Sequence, residues 1–356
     1  MARGVAVAAL LIVGCAQVFG VDNLASLSDG GIGQPCDLTS ASPTPCGNGA
    51  VCVDGVCQNA NGNPDDGGGA EADAAPALRT LASSQSSPTG IAIQNGTLLW
   101  TNLGDGRVMR CTAPECTQPQ PVVTGESGPS AIVGVGVNAF WISNEGVRGA
   151  VIGGGPAVPI LPASGLPPYL ATDGTSLFFE KDGNVYACPA LLQSCAATAV
   201  FPSAQPSLGG MTVGNGRVYL AVSASVIGCG VSGCASPTTI IPDVVAPTVV
   251  GVGPVTAFVA NSSGQILSCP ATGGCGSSEV VVGSQSNVGA ILVDGPNLYW
   301  LVSMPAGSLQ RCSHPTCLQS SDTLASSLQG ASAMVVDATY LYFTVTQAGT
   351  LMRVPK

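Results

Sequence analysis

Short apolar runs alternate with polar turns along most of the chain, always in the same order. The first run of each set reads "GIAI", "YLAT", "GMTV", "AILV" or "AMVV". Several of these end on Asn95-Gly96, Asp173-Gly174, Asn215-Gly216 or Asp294-Gly295, pairs that tolerate the positive φ of a tight hairpin. A second run follows, centred on two neighbouring apolar side chains: Leu99-Trp100, Phe140-Trp141, Phe178-Phe179, Tyr219-Leu220, Phe258-Val259, Tyr299-Trp300 and Tyr342-Phe343. Then come a loop and a third run opened by glycine ("GRVMRC", "GNVYAC", "GQILSC", "GSLQRC", "GTLMRV"), and a fourth such as "QPVVTG", "ATAVFP", "TTIIP" or "EVVVG". Aligned on the central pair, the sets form seven units spaced by about 40 residues.

Four short strands joined by tight turns and repeated at that period predict the blades of a β-propeller. The seventh unit stops at its third run, "TLMRVPK", while "APALRTLASSQSSP" ahead of the first unit reads as a fourth strand with its exit loop. The expected fold is therefore all-β: a seven-bladed propeller of four-stranded antiparallel blades, closed by an N-terminal strand so that the seam has no open edge.

Composition fits many strands and few solvated helices. Hydrophobic residues make up 46% of the chain and charged ones 8%, with 48 Gly and 27 Pro, whereas an ordinary soluble domain has about 25% charged residues. The net charge is −10 and the ten Lys and Arg are thinly spread. That distribution excludes the phosphate-neutralising stripe a nucleic-acid partner requires. An anionic membrane surface would repel such a chain unless a covalent lipid held it there.

The first residues, "MARGVAVAALLIVGC", place one positive charge at Arg3, then an apolar run, then Gly14 before Cys15. The run is shorter than the roughly 20 residues of a bilayer span and has the form of a secretory signal peptide over 1–14. Residues 15–35 read as a lipidated tether. Residues 36–57 read as a small disulfide-rich module whose Cys36, Cys46, Cys52 and Cys57 pair among themselves in one of three ways. Residues 58–76, polar and rich in Gly, Asn and Asp, read as a disordered linker, and 77–356 as the propeller.

Five units carry a cysteine pair just after the third run: Cys111/Cys116, Cys188/Cys195, Cys229/Cys234, Cys269/Cys275 and Cys312/Cys317. A redox site would need one C-x-x-C at a helix start, and zinc would need four converging ligands. Five wider pairs on separate blades, with His314 the only histidine, fit disulfide staples instead. Each is expected to join facing residues across the turn into the fourth strand and to contribute about 2 kcal/mol. Units two and seven lack the pair. Without Cys15 the cysteine count is even, which points to an oxidising, extracytoplasmic compartment.

Two resemblances extend this reading. "IVGC" resembles the bacterial lipobox, which implies lipid attachment at Cys15; Ala16, where Asp would retain the protein at the inner membrane, implies the outer membrane. With the cysteine-rich module and stapled repeats, the chain resembles a bacterial Cys-rich lipoprotein of the myxobacterial type. "GIAIQNGTLLWTNLGDGRVMR" resembles the YWTD repeats of extracellular lipoprotein-receptor propellers, most closely in units one, six and seven. That family is six-bladed, so the resemblance implies architecture and transfers no ligand-binding residue.

Candidate chemistry is sparse. "GESGPS", Gly125 to Ser130, is similar to a serine-protease nucleophile loop, but His314 is five units away and no base adjoins the serine. The first strands, which would line a central channel, are almost uncharged. One face, formed by the loops between second and third strands and by the inter-blade connections, gathers Asp105, Arg107, Glu126, Glu145, Arg148, Glu180, Lys181 and Asp182 in units one to three. The corresponding loops of units four to seven carry no charge. This sector is either a recognition site for a polar partner or a cation such as calcium, or a set of solvated loops. Arg110, Arg311 and Arg353 share one repeat position, as an anion-binding arc or as rim arginines. The expected function is a binding or interaction scaffold at the cell envelope, without catalysis or cofactor. Its partner would be a surface protein or carbohydrate, with the membrane reached through the lipid. The alternatives are a metal-assisted propeller lyase or hydrolase, and a structural envelope component; propellers host all three.

Overall fold

The computed structural model describes residues 51–53, 56–58, 78–162, 169–205, 208–283, 285 and 287–356. The expected signal peptide, tether and linker, with Cys15, Cys36 and Cys46, lie outside the described residues. Within the cysteine-rich module, strands Val51–Val53 and Val56–Gln58 pair antiparallel, with Cys52 opposite Cys57 in register. This segment belongs to one compact unit and Pro76–Lys356 to another.

The second unit consists of seven four-stranded antiparallel sheets. Blade 1 runs outward from the axis as Pro88–Gln94, Thr97–Asn102, Arg107–Thr112 and Gln120–Val123. Blades 2 to 6 repeat that order, ending at Asp322–Ser326. Blade 7 takes Ala331–Val336, Tyr340–Val345 and Thr350–Pro355 from the C-terminal end and Arg79–Ala82 as its outer strand. Both the blade number and the N-terminal closure agree with the sequence.

The recurring central pair has a simple physical cause. Successive strand residues point to opposite faces of a sheet, so the two members enter different inter-blade cores. Leu99 packs between blades 1 and 2, and Trp100 between blades 7 and 1. Tyr299 likewise packs toward blade 7 and Trp300 toward blade 5. The core is thus seven separate layers between neighbouring blades. Each pair contributes to two of them.

Opposite ends of the strands form two faces. The connection face carries the second-to-third loops and the inter-blade connections. The staple face carries the first-to-second turns and the cysteine loops. On the connection face, the connection crosses its blade's loop at backbone distance: Glu126 N–H donates to Gly106 O (2.9 Å) and Gln85 N–H to Gly349 O (2.9 Å). Gly106 has φ +68°, and a Cβ there would lie 2.2 Å from the Glu126 carbonyl oxygen, so only glycine fits.

Candidate functional site

The structure joins all five predicted cysteine pairs: Cys111–Cys116, Cys188–Cys195, Cys229–Cys234, Cys269–Cys275 and Cys312–Cys317, with Cα–Cα separations from 4.9 to 6.1 Å. Their placement corrects the expectation of facing ladder residues. The first cysteine of each pair lies in the third strand, where it faces the second strand: Cys111 opposite Leu98, Cys269 opposite Ala257. The second cysteine lies in no strand. Cys116 sits in the following turn, its N–H bonded to Thr112 O. Cys275 sits between strands Ile266–Pro270 and Glu279–Val282, so it faces no ladder partner and is bound to Cys269 across its own loop. The physical reason is the length of that loop: the two glycines before Cys275, both at positive φ, turn the chain back before the outer strand begins.

The bond therefore shapes the loop itself, and each loop packs back onto the preceding blade. Cys195 N–H donates to Ile160 O, Cys234 N–H to Val200 O, and Cys116 enters the core between blades 7 and 1. Cys275, half-buried, brings its Sγ to 3.7 Å from Ile240 O of blade 4, and Cys317 enters the core between blades 5 and 6. Five junctions are wedged in this way.

The wedge at junction 7/1 also latches the seam inside blade 7, where the ring closes. Arg79 of the closing strand lies opposite Arg353, a pairing that would repel by itself. Glu115, inside the Cys111–Cys116 loop, answers both arginines, at 3.0 Å from Arg79 Nη1 and 2.7 Å from Arg353 Nη2. Arg353 also donates to Pro114 O and stacks over the Tyr340 ring at 4.3 Å. The other two arginines of the suggested arc bond within their own blades, Arg110 to Gln120 and Arg311 to Asp322. Each of the three is thereby tied to its own partner.

The two unstapled junctions are 6/7 and 1/2. At the former, Lys356 pairs with Asp294 at 2.6 Å. At the latter, blade 2 has only the glycine-rich turn of 152–157, and a cleft of about 460 Å³ opens beside the outer strand of blade 1. Its lining includes Pro121, Thr124, Glu126, Glu145, Arg148 and Ala157.

Three of the sequence-predicted residues meet in this cleft. Arg148 lies 2.9 Å from Glu126 and 2.5 Å from Glu145. The two carboxylates differ in environment: the Glu126 side chain is 5% exposed, that of Glu145 55%. Glu126 also accepts the Trp141 indole N–H at 2.8 Å, so it is an anchor for the core as well as a wall of the cleft. The group carries one net negative charge, on the rim.

The other predicted residues form separate local groups. Asp105 faces Arg107 at 3.6 Å in blade 1. In blade 3, Glu180 accepts the Gly183 N–H at 2.6 Å, and Asp182 occupies the turn with φ +52°. Burial, and then the Glu180 charge, push the Tyr169 phenol above its ordinary pKa while its hydroxyl donates to Gly209 O. The predicted sector is therefore three patches, one per blade, rather than one convergent site. Among the described residues no three His, Cys, Asp or Glu side chains gather as metal ligands, and no helix is long and apolar enough to cross a membrane.

Sequence reasoning missed the acceptors of the buried indoles, although a signal was present. Gln85 and Glu126 precede Trp100 and Trp141 by fifteen residues, and each accepts the corresponding indole N–H. Gln285 stands at the same offset from Trp300, whose indole nitrogen is buried with no hydrogen-bond partner among the described residues. It also missed Asp243, a charged residue in the connection after blade 4.

No protein-family profile matches the chain, and no curated protein matches it in sequence. Solved structures do. A streptogramin B lyase superposes with a TM-score of 0.63 at 10% identity, over 78% of this chain and 97% of that one. The virginiamycin B lyase of Staphylococcus aureus gives 0.62 at 10%, over 79% and 98%. BamB from Moraxella catarrhalis gives 0.52 at 14%, over 76% and 85%. At these identities the likeness is one of fold.

Proposed function

We propose that the chain is an extracytoplasmic binding protein whose propeller is a rigid, disulfide-wedged platform, and that a partner segment docks in the cleft between blades 1 and 2. The observation that carries this is local: the cleft lies where the cysteine wedge is absent, beside a half-exposed carboxylate on a blade edge. Its net charge favours an extended segment bearing a basic residue, drawn to Glu145 while Arg148 stays held by Glu126. A lipid on Cys15 would anchor the platform at the outer membrane, and five disulfides belong with an oxidising compartment. The role is binding rather than catalysis. His314, the single histidine, lies in the Cys312–Cys317 turn with its ring edge-on to Phe258 at 5.2 Å, on the staple face away from the charged patches.

The test is a titration of fluorescent extended peptides, lysine-bearing against glutamate-bearing, at low and high salt. The lysine peptides are expected to bind, with affinity falling as salt rises, and Glu145→Lys is expected to weaken them at least about tenfold. Equal binding of both peptide types, or no effect of Glu145→Lys, would remove the cleft from the proposal. Intact mass of protein from a bacterial membrane fraction reports the anchor independently. A diacyl or triacyl adduct on Cys15 is expected.

A further inference from the structure

A second cavity, of about 430 Å³, lies on the connection face at the junction of blades 5 and 6. Its chemistry is the reverse of the first cleft. The polar lining is Thr248, Asn261, Ser262, Asn287 and Ser303, with Met304 as an apolar lip, and no charged side chain takes part among the described residues. One repeat position at its edge carries no side chain. The residue after the start of the first strand is Thr89 in blade 1 and Thr248 in blade 5, but Gly289 in blade 6. A Cβ on Gly289 would sit 2.4 Å from Ser303 Oγ.

The lining groups differ in how far the protein already uses them. Ser303 Oγ donates to Ala331 O at 2.8 Å, Thr248 Oγ1 to Ala260 O at 3.2 Å, and Asn261 is engaged with Gln265 on both sides of its amide. Each hydroxyl keeps acceptor capacity. The side chains of Ser262 and Asn287 make no hydrogen bond among the described residues, although their backbones are held: Ser262 N–H donates to Ala246 O and Asn287 O accepts from Ser303 N–H. The pocket thus presents a solvent-exposed amide and hydroxyl, without side-chain partners among the described residues, beside a sulfur-bearing wall.

We infer that this cavity is a binding site for a neutral saccharide. An anion or cation would be taken from water with no opposite charge in the lining, and a purely apolar ligand would leave the Asn287 and Ser262 groups without partners. A compact neutral ligand dense in hydroxyls satisfies both conditions, and the volume lies in the range of small-molecule sites. The inference is independent of the peptide cleft, which lies at another junction.

Saturation-transfer NMR with maltotetraose, cellotetraose, chitotetraose and mannotetraose, with a heparin-derived tetrasaccharide as the charged control, tests it. At least one neutral oligosaccharide is expected to bind saturably at or below about 10 mM, with no binding of the heparin fragment. Asn287→Gly removes the amide while keeping the left-handed backbone of Asn287 (φ +52°), and Ser262→Ala removes the hydroxyl. Each is expected to weaken binding about tenfold or more at unchanged melting temperature, while Glu145→Gln leaves it unaltered. Absence of binding by all four neutral sugars, or equal binding by Asn287→Gly and Ser262→Ala, overturns the assignment.

Discussion

Junctions 7/1 and 1/2 flank the same blade and are built from the same repeat, yet they are filled in opposite ways. At 7/1 the Cys111–Cys116 loop wedges into the core and delivers Glu115 to a facing arginine pair. At 1/2 the corresponding turn has neither cysteine nor wedge, and a polar cleft remains. The ring is covalently continuous everywhere except inside blade 7, where the closing strand Arg79–Ala82 is held to Thr350–Pro355 only by pairing and side chains. That is where rigidity has been added. At 1/2 the chain crosses through Glu126, whose backbone and side chain both anchor it, as those of Gln85 do at 7/1.

The largest expected effect is at the seam. Arg353→Met deletes a guanidinium whose side chain is 5% exposed, together with its bond to Pro114 O, its Glu115 partner and its stacking on Tyr340. A loss of about 2–3 kcal/mol is expected, discounted because Glu115 is half-exposed. In a propeller of this size that lowers the melting temperature by several degrees, which calorimetry reads. Removing the wedge as Cys111→Ala with Cys116→Ala should cost about 2 kcal/mol by loop-closure entropy. Limited proteolysis should then cut first next to Arg79–Ala82. Cleavage elsewhere would mean that the wedge does not serve the seam.

The converse experiment closes the open junction. Ala150 and Ala157 pack in the same core layer between blades 1 and 2, and their spacing of seven equals that of Cys188 and Cys195. Ala150→Cys with Ala157→Cys should form a disulfide under oxidising conditions and raise stability by about 1 kcal/mol. It should also weaken the lysine peptides, because Ala157 lines the cleft. Stabilisation without loss of peptide binding would separate the cleft from the missing wedge.

Blade number, ring closure and the identity of the staples were legible because they depend on periodicity and on residue types that few other contexts explain. The central pairs follow directly from strand alternation. What was not legible depends on the third dimension. Pairing Cys269 with Cys275 could be read from spacing, but the seat of Cys275 against blade 4 could not, because it depends on where the loop turns. The residue before the first strand adopts a left-handed conformation in blades 1, 5, 6 and 7, as Ser87, Ala246, Asn287 and Gly330, and only one of these is glycine. The third and outer strands share a bulge at one repeat position, as at Val108/Met109 and Val226/Ile227, with no sequence mark. The charged side chains of blades 1 to 3 lie at loops and strand ends on the connection face. Their division into three patches was not visible, because it depends on Arg148 turning to two carboxylates nineteen residues apart.

The smallest expected effect concerns acid and compares a turn next to the seam with one away from it. For Asp337, burial raises the carboxyl pKa, but the Tyr340 N–H, Tyr342 hydroxyl, Thr339 N–H and Lys356 charge together bring it below its ordinary value. In blade 3, Asp173 is likewise lowered against burial, by the N–H groups of Ser176 and Thr175 and the Thr175 hydroxyl. A carboxyl depressed in the folded state binds its proton more weakly there than in the unfolded chain. Its stabilisation is therefore complete above the unfolded pKa and is lost as pH falls through the folded value. Asp337→Asn and Asp173→Asn should each lie below the wild type in melting temperature at neutral pH and converge with it as the pH falls through the lowered carboxyl pKa. Only Asp337→Asn should also move Tyr342, whose phenol is raised by burial and by its bond and proximity to Asp337. Ultraviolet titration should then show one tyrosine ionising at lower pH in that variant alone. An unchanged phenol titration would mean that the carboxylate stabilises the turn through its backbone bonds and adds nothing through the blade 7 tyrosine.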